Sequence, residues 1–232
     1  MHYCMVNWRK QEDKLNKWWK EIIVWRKEMS EEIMSDIKLF NKWSYDGIKV
    51  VDEGLRRYVS LKPVIVPKTG SRVVGVQFHK SNLNIIERLV NKLMVVGHRA
   101  KKHKYTSGQN TGKSQNSMRL VEQAFTIIEQ KTKQNPIQVF ITALENAATR
   151  EEIIAIEYGG ARYPKAVECS PQRRIDIVLR IMTQSTYQKS VGSKKRAAES
   201  LADEIMHAYA NSNQSAAVAK KIEMERQADS SR

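Results

Sequence analysis

Residues 135–179 read NPIQVFITALENAATREEIIAIEYGGARYPKAVECSPQRRIDIVL, and a change of hydrophobic period inside them decides the fold. Asn135-Pro136 is a helix-start signal: a capping side chain, then a proline whose fixed φ suits the first turn and whose missing N–H would lack a partner there anyway. Ile137, Phe140, Leu144 and Ala148 follow at helical spacing. The period then switches to the strand type in Ile154-Ala155-Ile156-Glu157-Tyr158. Gly159-Gly160 supplies a turn, and Ala166-Val167-Glu168-Cys169 is the return run, so a β-hairpin is predicted at about 153–169. Ser170-Pro171 opens another helix, with Ile175, Val178, Leu179 and Met182 as its buried stripe.

Outward from this stretch the helical period recurs. Leu83, Ile86, Leu89, Val90, Leu93 and Met94 share one stripe from Ser81 to Gly97, and Leu120, Val121, Ala124, Phe125 and Ile128 line a helix over Ser114–Thr132. Two more helices are predicted, at about 194–211 with Leu201, Ile205 and Met206 inward, and at about 214–228. Residues 36–80 carry β-branched runs, Val50-Val51, Val64-Ile65-Val66 and Val73-Val74-Gly75-Val76, broken by Gly47, Gly54, Pro63, Pro67 and Gly70; they read as an extended, RNA-contacting arm with short strands at best. The fold class expected is mainly α: a bundle of about six helices over 81–232, one protruding β-hairpin and an extended N-terminal arm. Residues 1–35 hold Trp8, Trp18, Trp19 and Trp25 in a lysine-rich stretch and read as a poorly ordered extension, with Met29 or Met34 as an alternative translation start.

Charge points to the partner. Lys and Arg number 40 against 25 Asp and Glu, a formal charge of +15, far beyond what solubility requires, so a polyanion is expected. Nucleic acid is preferred to a membrane surface because the body of the chain has no convincing amphipathic insertion helix and no apolar run approaching the length of a span. Two thiols, Cys4 and Cys169, make neither a disulfide framework nor a zinc quartet, and His79, His98, His103 and His207 show no metal-ligand spacing. No catalytic residue, metal or cofactor is expected, and the compartment reads as cytosolic.

The most informative run is His98 to Arg119, which has no acid and carries Arg99, Lys101, Lys102, Lys104, Lys113 and Arg119. Solvated faces usually alternate in sign; one sign held through a loop with Gly108, Asn110 and Gly112 suits phosphate contact by side chains and backbone N–H groups together. Gly112-Lys113-Ser114 invites a nucleotide-binding reading, but only three residues separate the glycines where a phosphate-binding loop has four, and the lead-in His103-Lys104-Tyr105-Thr106 is polar. Tyr158, Arg162, Tyr163 and Lys165 around the hairpin turn combine rings and cations on a projecting element, a mixture suited to base stacking. Arg173-Arg174 stand in a helix's first turn, where positive charge opposes the dipole and an external anion would relieve the cost; Lys194-Lys195-Arg196 repeat the arrangement.

Several blocks then resemble one family: Ile37-Lys38-Leu39-Phe40, Lys42-Trp43-Ser44, Ile86-Glu87-Arg88-Leu89-Val90-Asn91, Asn135-Pro136-x-Gln138-Val139, Ala166 to Arg174, Leu201-Ala202-Asp203-Glu204-Ile205 and the ending Ser230-Ser231-Arg232. In this order, from residue 37 onward, they look like the uS7 (S7/S5e) small-subunit ribosomal proteins of the archaeal and eukaryotic branch. The resemblance implies a helical protein that binds the 3′ major domain of 16S rRNA, nucleates the head of the 30S subunit and lies near exit-site tRNA and mRNA, beside neighbouring proteins of head and platform. Lys68, Arg72, Lys80, Arg88, Arg99, Lys101, Lys102, Lys104, Lys113, Arg119, Arg173, Arg174, Lys194, Lys195 and Arg196 are then the expected rRNA contacts. Tyr158, Arg162, Tyr163, Lys165 and Arg232 are the residues expected near tRNA and mRNA. A basic helical DNA-binding protein is the alternative; it would want a compact helix-turn-helix and a dimer seam, and nothing in the sequence requires either.

Overall fold

A computed structural model of the chain describes residues 37–96 and 110–232. The predicted extension with Cys4 and its four tryptophans, and the part of the basic run holding Arg99, Lys101, Lys102 and Lys104, lie outside the described residues.

Seven α-helices occur among the described residues: α1 Glu53–Arg56, α2 Ile85–Met94, α3 Ser114–Thr132, α4 Pro136–Ala147, α5 Pro171–Ser190, α6 Ala197–Tyr209 and α7 Ala216–Asp229. The six long ones, α2 to α7, are the bundle that the periodicity predicts. The Asn135 side chain accepts from Ile137 N at 3.1 Å, and the Ser215 side chain accepts from Ala217 N at 3.2 Å, so both helices start on a satisfied cap. Helix α2 starts later than predicted: Asn84 caps it, accepting from Ile86 N at 2.9 Å, and a 3₁₀ turn His79–Asn82 precedes it. The core is one cluster. Phe125 stands edge-on to Trp43, with centroids 5.7 Å apart, and 6.0 Å from Phe140; Ile86, Leu89, Ile128, Ile137, Leu144, Ile175, Leu179, Leu201 and Ile205 close around them.

The arm is strapped to this bundle. Leu39, Trp43, Leu55 and Val59 enter the core, each contributing about 1.5–3 kcal/mol by leaving water. The Glu145 carboxylate on α4 accepts from Val51 N at 2.7 Å and Asp52 N at 3.0 Å. Gln138, two turns earlier, bonds Lys49 N and O at 2.9 and 3.1 Å, so α4 side chains satisfy backbone groups that a sheet would otherwise pair. Strands in this stretch are β1 Lys38–Leu39 and β2 Trp43–Ser44, antiparallel, and not the β-branched runs. Those runs are loops and turns, because their backbone groups already have side-chain or local partners. The single turn α1, with only Leu55 buried, was not foreseen.

Behind α5 sits one more polar tie. Glu204 on α6, fully buried, accepts from Ser185 Oγ at 2.9 Å, Lys189 Nζ at 2.7 Å, Ser215 Oγ at 2.8 Å and Ala217 N at 3.2 Å. One carboxylate thus joins α5, α6 and the start of α7, and its lone pairs are satisfied as a buried charge requires.

The hairpin pairs β3 Glu151–Tyr158 with β4 Ala161–Glu168, in register from Glu151↔Glu168 to Tyr158↔Ala161. Gly159 and Gly160 have φ +58° and +80°, the two left-handed residues of a type I′ turn. The return strand therefore starts at once, at Ala161 and not at Ala166, and Cys169 falls just beyond it. Pro164 is tolerated because Tyr158↔Ala161 closes the turn as a hydrogen-bonded pair; counting back, Ala155↔Pro164 is a non-bonded pair, where a missing N–H costs nothing.

Candidate nucleic-acid interface

Residues 54–86 carry Arg56, Arg57, Lys62, Lys68, Arg72 and Lys80 with no Asp or Glu. The first five are exposed and make no ion pair among the described residues. Lys80 reaches Asp176 at 3.2 Å yet keeps half its side chain in solvent. Only Lys68, Arg72 and Lys80 were expected here; Arg56, Arg57 and Lys62 were missed, although the acid-free composition was the signal that would have found them.

Buried polar groups at the start of α2 fix this surface. Glu87, nearly buried, accepts from Thr69 N at 2.9 Å and Thr69 Oγ1 at 2.7 Å, while Asn84 Nδ2 donates to Lys62 O at 2.8 Å. Between these clamps the backbone runs as successive turns, Val74 N to Ser71 O, Val76 N to Val73 O and His79 N to Val76 O, each at 3.2 Å. Gly70, Ser71 and Phe78 take positive φ of 59°, 67° and 58°. Val74, Val76 and Phe78 are left 57%, 57% and 74% exposed, an apolar crest among cations. Lys68 also lines a shallow cleft with Gly112, Lys113, Ser114 and Asn116 at the start of α3. Lys113, at the cap position, and Arg119 are exposed and make no ion pair among the described residues, and the first turn of α3 carries no acid.

Other predicted cations are held inside the protein. Arg88 is the clearest correction: its guanidinium is buried, bonded to Tyr58 O at 3.2 Å and Asp176 at 3.1 Å. Burial pushes its pKa down, opposed by the Asp176 carboxylate. Burial alone would raise the Asp176 carboxyl, but Arg88 and Lys80 together hold it below the usual range. Arg174 donates to Asp52 at 2.9 Å and Thr149 O at 3.1 Å, and Arg173 to Glu152 at 2.7 Å. The charge at the start of α5 is therefore relieved by internal carboxylates where an external anion was expected. Lys195 and Lys131 share Asp203 at 3.4 and 3.0 Å; burial would raise that carboxyl too, and the two lysines hold it low. Lys194 and Arg196 stay exposed and make no ion pair among the described residues; they stand before α6, whose first turn carries its own acid in Glu199, bonded to Arg196 N at 3.4 Å.

The hairpin is not the cationic tip expected. It holds Arg162 and Lys165 against Glu151, Glu152, Glu157 and Glu168, and Arg162 faces Glu157 at 3.6 Å. Arg232 is drawn to Glu151 at its base. The alternation places Ile154, Ile156, Tyr158, Tyr163 and Lys165 on one face; the four apolar side chains of that face are each more than 40% exposed.

A profile of the family described as ribosomal protein S7p/S5e matches residues 55–232. Among similar proteins, the small ribosomal subunit protein uS7 of Nanoarchaeum equitans is 49% identical over 196 residues, 84% of this chain and 99% of that protein. That of Methanococcus aeolicus is 46% identical over 198 residues, 85% of this chain and 100% of its own length, and that of Methanococcoides burtonii 45% over 171 residues, 74% and 86%. A helical bundle with an inserted hairpin, an acid-free basic arm and this likeness across most of the chain lead to one assignment: the chain belongs to the ribosomal protein S7p/S5e family.

Proposed function

We infer that this chain is a structural constituent of the small ribosomal subunit in the cytoplasm, acting by RNA binding and not by catalysis. It binds the 3′ major domain of 16S rRNA, nucleates the subunit head, and sits beside neighbouring proteins of head and platform. The observation that carries this reading is the clamped, acid-free arm, whose exposed cations have no carboxylate to satisfy them and so await phosphates. Lys68, Arg72, Lys80, Lys113 and Arg119 belong to this surface, with Arg99, Lys101, Lys102 and Lys104 continuing it in sequence and Lys194 and Arg196 adding a second patch. The hairpin reaches toward exit-site tRNA and mRNA through Tyr158 and Tyr163, by stacking more than by charge.

The test is a binding competition at about 0.15 M salt between the transcribed 3′ major domain and duplex DNA, since phosphate binding alone does not discriminate. Preference for the rRNA domain is expected; equal affinity would return the chain to the class of basic DNA-binding helical proteins. For the hairpin, crosslinking of exit-site tRNA to reconstituted subunits carrying a trimmed hairpin should fall, and unchanged tRNA and mRNA behaviour would refute its role.

A further inference from the structure

Phe78 is placed as no core aromatic is. It leads into the 3₁₀ turn His79–Asn82 in left-handed backbone, φ +58°, where a residue with a bulky side chain rarely sits, and its ring is 74% exposed. The strain is held from both sides. Thr69 is tied to Glu87, while beyond the turn Ser81 Oγ donates to Gln172 at 3.1 Å and Lys80 to Asp176 at 3.2 Å. Val74 and Val76 stand exposed beside it in the sequence, and the nearest charges along the chain are Arg72 and Lys80, with Lys68 before them. An aromatic ring kept out of the core at a conformational cost, on an acid-free and cationic segment, matches what an unpaired nucleobase requires: a flat apolar face to stack on, and positive charge for the phosphates on either side. A protein neighbour with a basic surface would be repelled here, and a neutral one would leave those cations unsatisfied.

We propose that Phe78 is a base-stacking residue, receiving an unpaired base of structured RNA while Arg72 and Lys80 meet the flanking phosphates. The proposal rests on the rRNA-binding reading above and deepens it.

The experiment uses the full chain, the transcribed 3′ major domain of 16S rRNA, and a fully paired RNA duplex as control. Phe78→Ala and Phe78→Leu should each weaken binding to the domain about tenfold, the scale of one base stack removed, while Phe78→Trp binds as the parent does. Affinity for the duplex should not change in any variant. Ultraviolet crosslinking should join the peptide containing Phe78 to a base in a single-stranded region. Four outcomes overturn the proposal: Phe78→Ala binding the domain like the parent; Phe78→Leu retaining full affinity, which makes the interaction merely apolar; equal losses on domain and duplex; or unchanged RNA affinity with failure to enter reconstituted subunits, which assigns the crest to a protein neighbour. A parent chain that does not prefer the domain at all refutes the rRNA reading, and the stacking site falls with it; loss of the stacking site alone leaves that reading standing.

Discussion

Between residues 54 and 86 the chain carries six Lys and Arg and no acid, whereas the hairpin of β3 and β4 carries two against four Glu. Both are β-branched, glycine-turned segments outside the helical bundle, yet they use charge in opposite ways. On the arm, carboxylates enter only from beneath, as Glu87, Glu145 and Asp176, where they chiefly hold backbone and buried groups in place. On and around the hairpin, carboxylates meet cations directly: Glu157 with Arg162, Glu152 with Arg173, Glu151 with Arg232. A count of basic residues cannot separate the two surfaces; a map of which basic residues already have a partner does. The arm is left as a polyanion site, and the hairpin as a surface that recognises by shape and stacking.

The largest expected effect breaks the arm. Replacing Arg56, Arg57, Lys62, Lys68 and Arg72 together with Ala should cost about 5 kcal/mol of rRNA-domain binding, at roughly 1 per phosphate neutralised, with circular dichroism and thermal midpoint unchanged. Loss of fold in that variant would make these residues structural.

Arg88→Met is the next, and its effect should appear in the other measurement. It leaves Asp176 with only the half-exposed Lys80, so urea unfolding should show a loss of about 3 kcal/mol, the scale for an orphaned buried ion. The pH dependence follows from the same pair. The folded Asp176 carboxyl lies below its unfolded value, so its contribution is present above the unfolded pKa of about 3.9 and is lost as pH falls through the folded one. Asp176→Asn should therefore flatten the acid limb of stability against pH; a limb of unchanged slope would contradict the assignment.

Much of this was legible in the sequence. The six long helices were, because Ile175, Val178, Leu179 and Met182, like Ile137, Phe140 and Leu144, recur at the helical period and are all buried to within 1%. The Gly159-Gly160 turn was legible for the same kind of local reason. Arg88 and Arg174 were not, since their partners Asp176 and Asp52 stand 88 and 122 residues away, and no local pattern distinguishes a cation that will be paired from one that will not. Nor was the full β4 strand, since Ala161-Arg162-Tyr163-Pro164-Lys165 lacks an apolar alternation and is exposed throughout. The left-handed backbone at Phe78 is set by clamps from α2 and α5, which only the tertiary structure brings together.

The smallest effects belong to the hairpin side. Replacing residues 157–162 with Asn-Gly keeps the Ile156↔Tyr163 pair next to a new two-residue turn, and should change stability by less than about 1–2 kcal/mol because the excised side chains are exposed. Isolated-domain binding should not move. Arg173→Ala, which removes an exposed partner of Glu152, should change rRNA affinity by less than about 0.5 kcal/mol, measured by filter binding, since that cation is already neutralised.

The division between the two surfaces is tested most directly by the salt dependence of binding to the 3′ major domain. The slope of log affinity against log salt would be measured for the parent, for the five-fold arm variant, and for a variant with Arg162, Lys165, Arg173 and Arg232 replaced by Ala. The arm variant should have a slope shallower by roughly 3 to 5 units, because every phosphate that no longer meets a cation keeps its condensed counterions, while the hairpin-side variant keeps the parent's slope. Equally shallow slopes in the two variants, or a change confined to the hairpin side, would contradict the account.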